Sequence, residues 1–147
     1  MDSHEGTKPR RDKEEVAAII VDCAFHLHRD LGPGLLETVY EVVLAKMLPD
    51  RGLAVERQMP IPIKYAGFIF EEGFRADLLV EGLVLVELKS VENLAPLHAK
   101  QVLTYLRLLH LPLGLLINFG SATFKDGCQC IVNGPQSFAA SRLRAFA

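Results

Sequence analysis

"FRADLLVEGLVLVELKS", residues Phe74 to Ser90, reads as two apolar strands meeting at Glu81-Gly82. The first strand nevertheless carries Asp77, and the second carries Glu87 and Lys89. Residues two apart in a strand share a face, so Glu87 and Lys89 project together while Val84, Val86 and Leu88 pack on the other side. Burying paired carboxylates is costly unless something cationic compensates. Lys89 supplies one positive charge, and a divalent ion between Asp77 and Glu87 would supply more. Hard oxygen ligands of this kind suit Mg2+ or Mn2+. The plainer alternative is a Glu-Lys ladder on a solvated strand face.

Register separates these readings. A two-residue loop at Glu81-Gly82 pairs Val80 with Leu83, and therefore Asp77 with Val86, on the face away from Glu87. Metal chemistry requires Asp77 opposite Glu87. The spacing therefore predicts a three-residue loop or a bulge, for which Gly82 can supply the left-handed backbone.

Outward from this hairpin, Val16, Ile20, Cys23 and Leu27 recur at helical spacing and predict a helix over 13–30. "LGPG" at 31–34 ends it. A second helix is expected over 35–48, with Leu36, Val39, Val43 and Met47 inward and Pro49 and Gly52 as terminators. "VERQMPIPIKY" alternates, and Pro60 and Pro62 mark it as an edge strand or one with an outward-facing amide side. "YAGF" reads as a turn, "FIFEE" as a short strand and Gly73 as a break before "RADLLV". A third helix is expected over 96–110, with Pro96 in its first turn. "LGLLINFG" has the continuous apolar character of a sheet centre, and "CQCIVN" adds a last edge strand. The expected order is α-α-β-β-β-β-α-β-β. It defines an α/β protein with a mixed central sheet flanked by helices, its domain over 13–133 between tails at 1–12 and 134–147.

Composition bounds the function. Half of the 147 residues are hydrophobic and 23% are charged, which suits one globular domain. No apolar run is long enough to span a bilayer, and the opening "MDSHEGTKPRRDKEE" is polar, so the cytoplasm is the expected location. Cys23, Cys128 and Cys130 form no disulfide framework, and no second ligand pair completes a zinc site. A net charge of −2 argues against a simple DNA-coating role, so any grip on nucleic acid must come from local cations, a metal or a partner.

Helical spacing groups the remaining polar residues. Glu37 and Tyr40 are three apart on one helix face. Glu37 could ligate a metal, hold a water of its shell, or cap the helix start. His98, Gln101 and Tyr105 form a polar stripe on the third helix, beside a buried stripe of Val102, Leu106 and Leu109. Gln and Tyr suit half-buried positions that orient hydrogen bonds. His98 reads as structural, and His26 and His28 are accounted for by a helix C-terminus.

Asp77, Glu87 and Lys89 together resemble the D-(x)n-E-x-K core of the PD-(D/E)xK nuclease superfamily, with Ala76-Asp77 in place of "PD". "GLLETVY", Gly34 to Tyr40, is similar to the G-x-x-E-x-x-Y signature of a bacterial family of small proteins. "PLHAKQVLTY", Pro96 to Tyr105, is similar to that family's next helix and to the Q-x-x-x-Y element of some superfamily nucleases. The likeness covers roughly residues 15–133. It implies a restriction-endonuclease-like α-β-β-β-α-β core and Mg2+- or Mn2+-dependent phosphodiester hydrolysis, DNA in preference to RNA. It further implies a metal held by Asp77, Glu87 and the Leu88 carbonyl, with Glu37 in a second, weaker shell, and Lys89 acting on the attacking water. Gln101 and Tyr105 would position substrate or Lys89. Arg75, Lys100, Arg107 and Tyr40 are the substrate-contact candidates. Many members of the superfamily act as dimers, so a homodimer or protein partner enters the expectation. The rival from another class is a catalytically silent nuclease-fold module that binds nucleic acid or protein. A third reading is a structural subunit that dimerises through "LPLGLLINFG" and the Pro-rich edge.

Overall fold

The computed structural model describes residues 11–134; the expected tails at 1–12 and 134–147 lie almost wholly outside them. Helices α1 (Lys13–Leu31) and α2 (Glu37–Asp50) precede strands β1 (Val55–Tyr65), β2 (Phe68–Val80) and β3 (Val84–Lys89). Helix α3 (Pro96–Leu109), strand β4 (Leu113–Asn118), the short α4 (Phe124–Gly127) and strand β5 (Cys128–Val132) follow. The sheet order is β1-β2-β3-β4-β5. Among the described residues, only β3 and β4 run parallel, with α3 as their crossover, and the other neighbours are antiparallel. Helices α1 and α2 cover one face over Val84, Val86, Leu88, Leu115 and Ile117. Helix α3 covers the other over Leu85 and Leu116. This is the α/β architecture expected, a five-stranded mixed sheet flanked by helices.

Helix α1 starts on a capping box, in which Asp12 accepts from the Glu15 amide and Glu15 accepts from the Asp12 amide. Its buried face contains the expected Val16, Ile20, Cys23 and Leu27. Helix α2 departs from expectation in rotation and length. Tyr40, Glu41, Leu44 and Leu48 are its buried residues, whereas Leu36 is 77% exposed and Val39 39% exposed. The helix is apolar on most sides, so periodicity could not fix its rotation; Tyr40 does. Its ring stacks on Phe119 at 4.3 Å, and its hydroxyl donates to Gly32 O (2.6 Å) and accepts from Leu35 N (3.0 Å). Pro49 sits in the last turn, one residue before the helix ends at Asp50, and its carbonyl accepts from Gly52 N.

Gly73 does not divide the second strand. "FIFEE" and "RADLLV" form one continuous β2, and the register against β1 slips between Ile61↔Phe74 and Ile63↔Phe70. Glu71, Glu72 and Gly73 thus bulge opposite Pro62. Glycine at 73 leaves room for the Ile63 side chain, which a Cβ there would force aside. Strands β1 and β5 are the sheet edges, as their sequences suggest, while α4 carried no distinct pattern. Among the described residues, no helix is long and apolar enough to cross a membrane.

Candidate active site

The hairpin loop sets the register. Val80 pairs with Val84, Leu79 with Leu85 and Leu78 with Val86, so Glu81, Gly82 and Leu83 form a three-residue loop. Glu81 (φ 56°) and Gly82 (φ 63°) are both left-handed, and Leu83 N donates to Val80 O. Glu81 is held at both ends, since its amide donates to Ala54 O and its carboxylate accepts from Ala54 N. The next position in this register brings Asp77 opposite Glu87.

There the backbone ladder ends and side chains replace it. Leu88 N donates to Asp77 Oδ2 at 2.8 Å, and Asp77 N donates to Glu87 Oε1 at 3.3 Å. Each carboxylate reaches across to the other strand. Burial, then the Asp77 charge, pushes the Glu87 carboxyl up to about 8 despite the pull of Lys89. Burial likewise raises Asp77, against the stabilising hydrogen bond from the Leu88 amide, with the charges of Glu41 and Glu37 adding to the rise.

Glu87 and Lys89 open into a cleft of about 150 Å³ beneath α3. Arg75, Gln101 and Tyr105 line it with them. Gln101 and Tyr105 are half-buried, and the Tyr105 ring stacks on Phe74 at 3.3 Å. Burial and then the charges of Glu87 and Asp77 hold the Tyr105 hydroxyl above its ordinary range. His98 also faces the cleft, but its Nδ1 accepts from Ala95 N and closes the first turn of α3, the structural role expected. His28 is buried against Phe119 and bonded to Ser121 O.

Other expected residues lie elsewhere. Tyr40 is fully buried, so its expected contact with substrate is corrected: both lone-pair and proton are spent holding the chain from Gly32 to Leu35. Lys100 and Arg107 are exposed on α3 and do not line the cleft. Arg75 lines it while paired with Glu72 at 2.6 Å. Glu37 is exposed at the start of α2, near enough for its charge to act on Asp77.

Two residues escaped the sequence reading. Glu41 is buried and accepts from Arg57 Nε (3.1 Å) and Gln58 Nε2 (2.8 Å). Gln58 Nε2 also donates to Asp77 Oδ1 at 3.2 Å. The signal for Glu41 was its place on the stripe Glu37, Glu41, Leu44, Leu48, which becomes visible once the helix rotation is known. Gln58 sits in an alternating strand and gave no such signal.

Among the described residues, no three His, Cys, Asp or Glu side chains converge as a ready metal cluster. The donor chemistry still fits a hard dication. Two carboxylates lie together in a buried setting, where burial and then the Asp77 charge raise Glu87, the direction that a dication beside them would reverse.

A five-stranded mixed sheet between helices, bearing an aspartate on one strand and Glu-x-Lys on the next, is restriction-endonuclease-like in architecture. A family model for the PD-(D/E)XK nuclease superfamily matches residues 14–131, and the chain belongs to that superfamily. No curated protein and no solved structure matches the chain.

Proposed function

We propose that the chain is a Mg2+- or Mn2+-dependent nuclease that hydrolyses phosphodiester bonds, DNA in preference to RNA. One observation carries the reading: Asp77 and Glu87 each accept a backbone N–H from the other's strand where the β2–β3 ladder ends, with Lys89 beside Glu87 in the adjoining cleft. The superfamily supplies the nucleic-acid substrate class and the general use of divalent metals, and the restriction-endonuclease-like architecture supports DNA. Gly34, Glu37 and Tyr40 support placement in the GxxExxY family.

Asp77, Glu87 and the Leu88 carbonyl would hold the ion. In a strand, the N–H and C=O of one residue point to the same edge. Leu88 directs its N–H toward Asp77, so its carbonyl faces the same gap. When bound there, a divalent ion would supply Lewis acidity toward the phosphate and lower the pKa of water. Lys89 orients the attacking water or takes its proton, and in its charged form offsets the negative charge that builds on phosphorus oxygens. Gln101 and Tyr105 position the substrate backbone or Lys89. Glu37 contributes to a second, weaker shell. Arg75 contacts phosphate from within the cleft, with Lys100 and Arg107 extending that contact along α3. A second copy of the chain, or a protein partner, would add the grip that a net charge of −2 denies one copy.

The test is incubation with plasmid, single-stranded and branched DNA and with RNA, with and without Mg2+ or Mn2+. Cleavage that requires metal and ceases with EDTA is expected. Intact substrate under every condition would leave the non-cleaving module as the better reading.

A further inference from the structure

The inside-outside alternation of the first two strands reverses at one level of the sheet. In β1, Val55 packs toward α1 and α2 and Arg57 bonds Glu41 of α2, yet Met59 and Ile61 pack beneath α3. In β2, Phe74 and Ala76 lie on the α3 side, yet Leu78 and Val80 lie on the α1–α2 side. Residues two apart should share a face. The reversal falls at Gln58 and Asp77, which face each other between the pairs Arg57↔Leu78 and Met59↔Ala76. Gln58 is left-handed (φ 49°), a conformation that side chains other than glycine and asparagine rarely hold, least of all inside a strand.

The Gln58 side chain spans the same level. Its amide nitrogen donates to Glu41 Oε1 at 2.8 Å and to Asp77 Oδ1 at 3.2 Å. A carboxylate can only accept, so Glu41 dictates that the nitrogen end of the amide faces inward. Glu41 is itself fixed by Arg57 Nη2 at 3.0 Å. With Leu88 N on Oδ2, both oxygens of Asp77 are then held from opposite sides, one by β3 and one by β1.

We infer that Gln58 is a positioning residue for the site: its left-handed backbone and its amide, locked by Glu41, aim the Asp77 carboxylate into the gap it shares with Glu87. The inference rests on the nuclease reading only in taking that gap as the place where a divalent ion binds. Strain of this sort persists where the surroundings over-determine it, and the Arg57–Glu41–Gln58–Asp77 chain is what does so here.

The test uses Mn2+ binding by calorimetry on the full chain without nucleic acid, together with the exchange rate of the Leu88 amide proton read by NMR without metal. Gln58→Gly keeps the left-handed backbone available and removes the side chain, amide included. It should melt at or above the wild-type temperature, bind Mn2+ at least tenfold more weakly and exchange the Leu88 amide at least tenfold faster. Unchanged Mn2+ affinity and unchanged Leu88 exchange would overturn the inference. If Gln58→Gly fails to fold, Glu41→Gln decides, because it unlocks the amide while leaving Gln58 in place; the same two losses support the inference and their absence overturns it. A wild-type chain that binds no Mn2+ would instead sink the nuclease reading, and the Leu88 exchange rate would still judge Gln58.

Discussion

Leu88 donates its backbone N–H to Asp77 Oδ2 at 2.8 Å, one step beyond the point where the ladder between their strands ends at Leu78↔Val86. A sheet hydrogen bond has been exchanged for a bond to a carboxylate. The exchange ends the β2–β3 ladder at the level where the two acids face each other. The three-residue loop at Glu81–Leu83 makes it possible, because a register shifted by one residue turns Asp77 to the other face.

Lys89 borders the cleft without being part of the core. Replacing it with Ala should lower metal-dependent cleavage by roughly 10²–10⁴-fold, the range for loss of a proton-transfer group, while the melting temperature stays close to wild type. Plasmid nicking in Mg2+ and Mn2+ measures the first and calorimetry the second. Equal turnover would remove Lys89 from the mechanism.

The Glu87 carboxyl sits at about 8 in the fold against an ordinary 4.5. An acid raised by folding favours the folded state fully below its unfolded value, and that contribution is lost as pH rises through the folded value. The metal-free protein should therefore lose stability between pH 4.5 and pH 8, by up to about 1.4 kcal/mol per pH unit from this group. Glu87→Gln should flatten the slope and be the more stable protein at pH 8. Urea unfolding in EDTA at pH 5 and pH 8 measures this. A wild-type chain more stable at pH 8 than at pH 5, unaffected by the substitution, would count against a buried carboxylate pair.

Tyr40→Phe removes the hydroxyl that bonds Gly32 O and Leu35 N. It should cost about 1–2 kcal/mol of stability and leave KM for nucleic acid unchanged. A large rise in KM at unchanged stability would restore Tyr40 as a substrate contact.

Gly120 marks where the chain leaving β3 meets the chain leaving β4: a Cβ there would lie 2.2 Å from Val91 O. Asn118 ties the same two segments, accepting from Val91 N and Gly120 N and donating to Val91 O. Gly120→Ala should cost on the order of 1–3 kcal/mol, the usual range for overpacking, since the obstacle is backbone. A thermal melt unchanged from wild type would contradict the close approach.

Much of this was legible in the sequence, for physical reasons. The loop length followed from the requirement that Asp77 and Glu87 share a face, and the edge strands followed from Pro60 and Pro62 and from the short segment at Cys128. Other features needed three dimensions. The rotation of α2 was ambiguous because its apolar residues lie nearly all round, and only the Tyr40–Phe119 stack fixed it. Misplacing that rotation hid Glu41. Gly73 looked like a strand break because a glycine that admits a neighbour's side chain has the same letter as one that ends a strand. Gln58 was invisible because a left-handed glutamine leaves no mark on an alternating pattern.

The central claim is that Asp77 and Glu87 bind one divalent cation together. Anomalous diffraction from a crystal grown with Mn2+ tests it directly. The account predicts a single strong peak between the two strands, with oxygens of both carboxylates roughly 2.0–2.6 Å away. A peak elsewhere, or none in that gap while Asp77 and Glu87 remain bonded as in the metal-free chain, would contradict it.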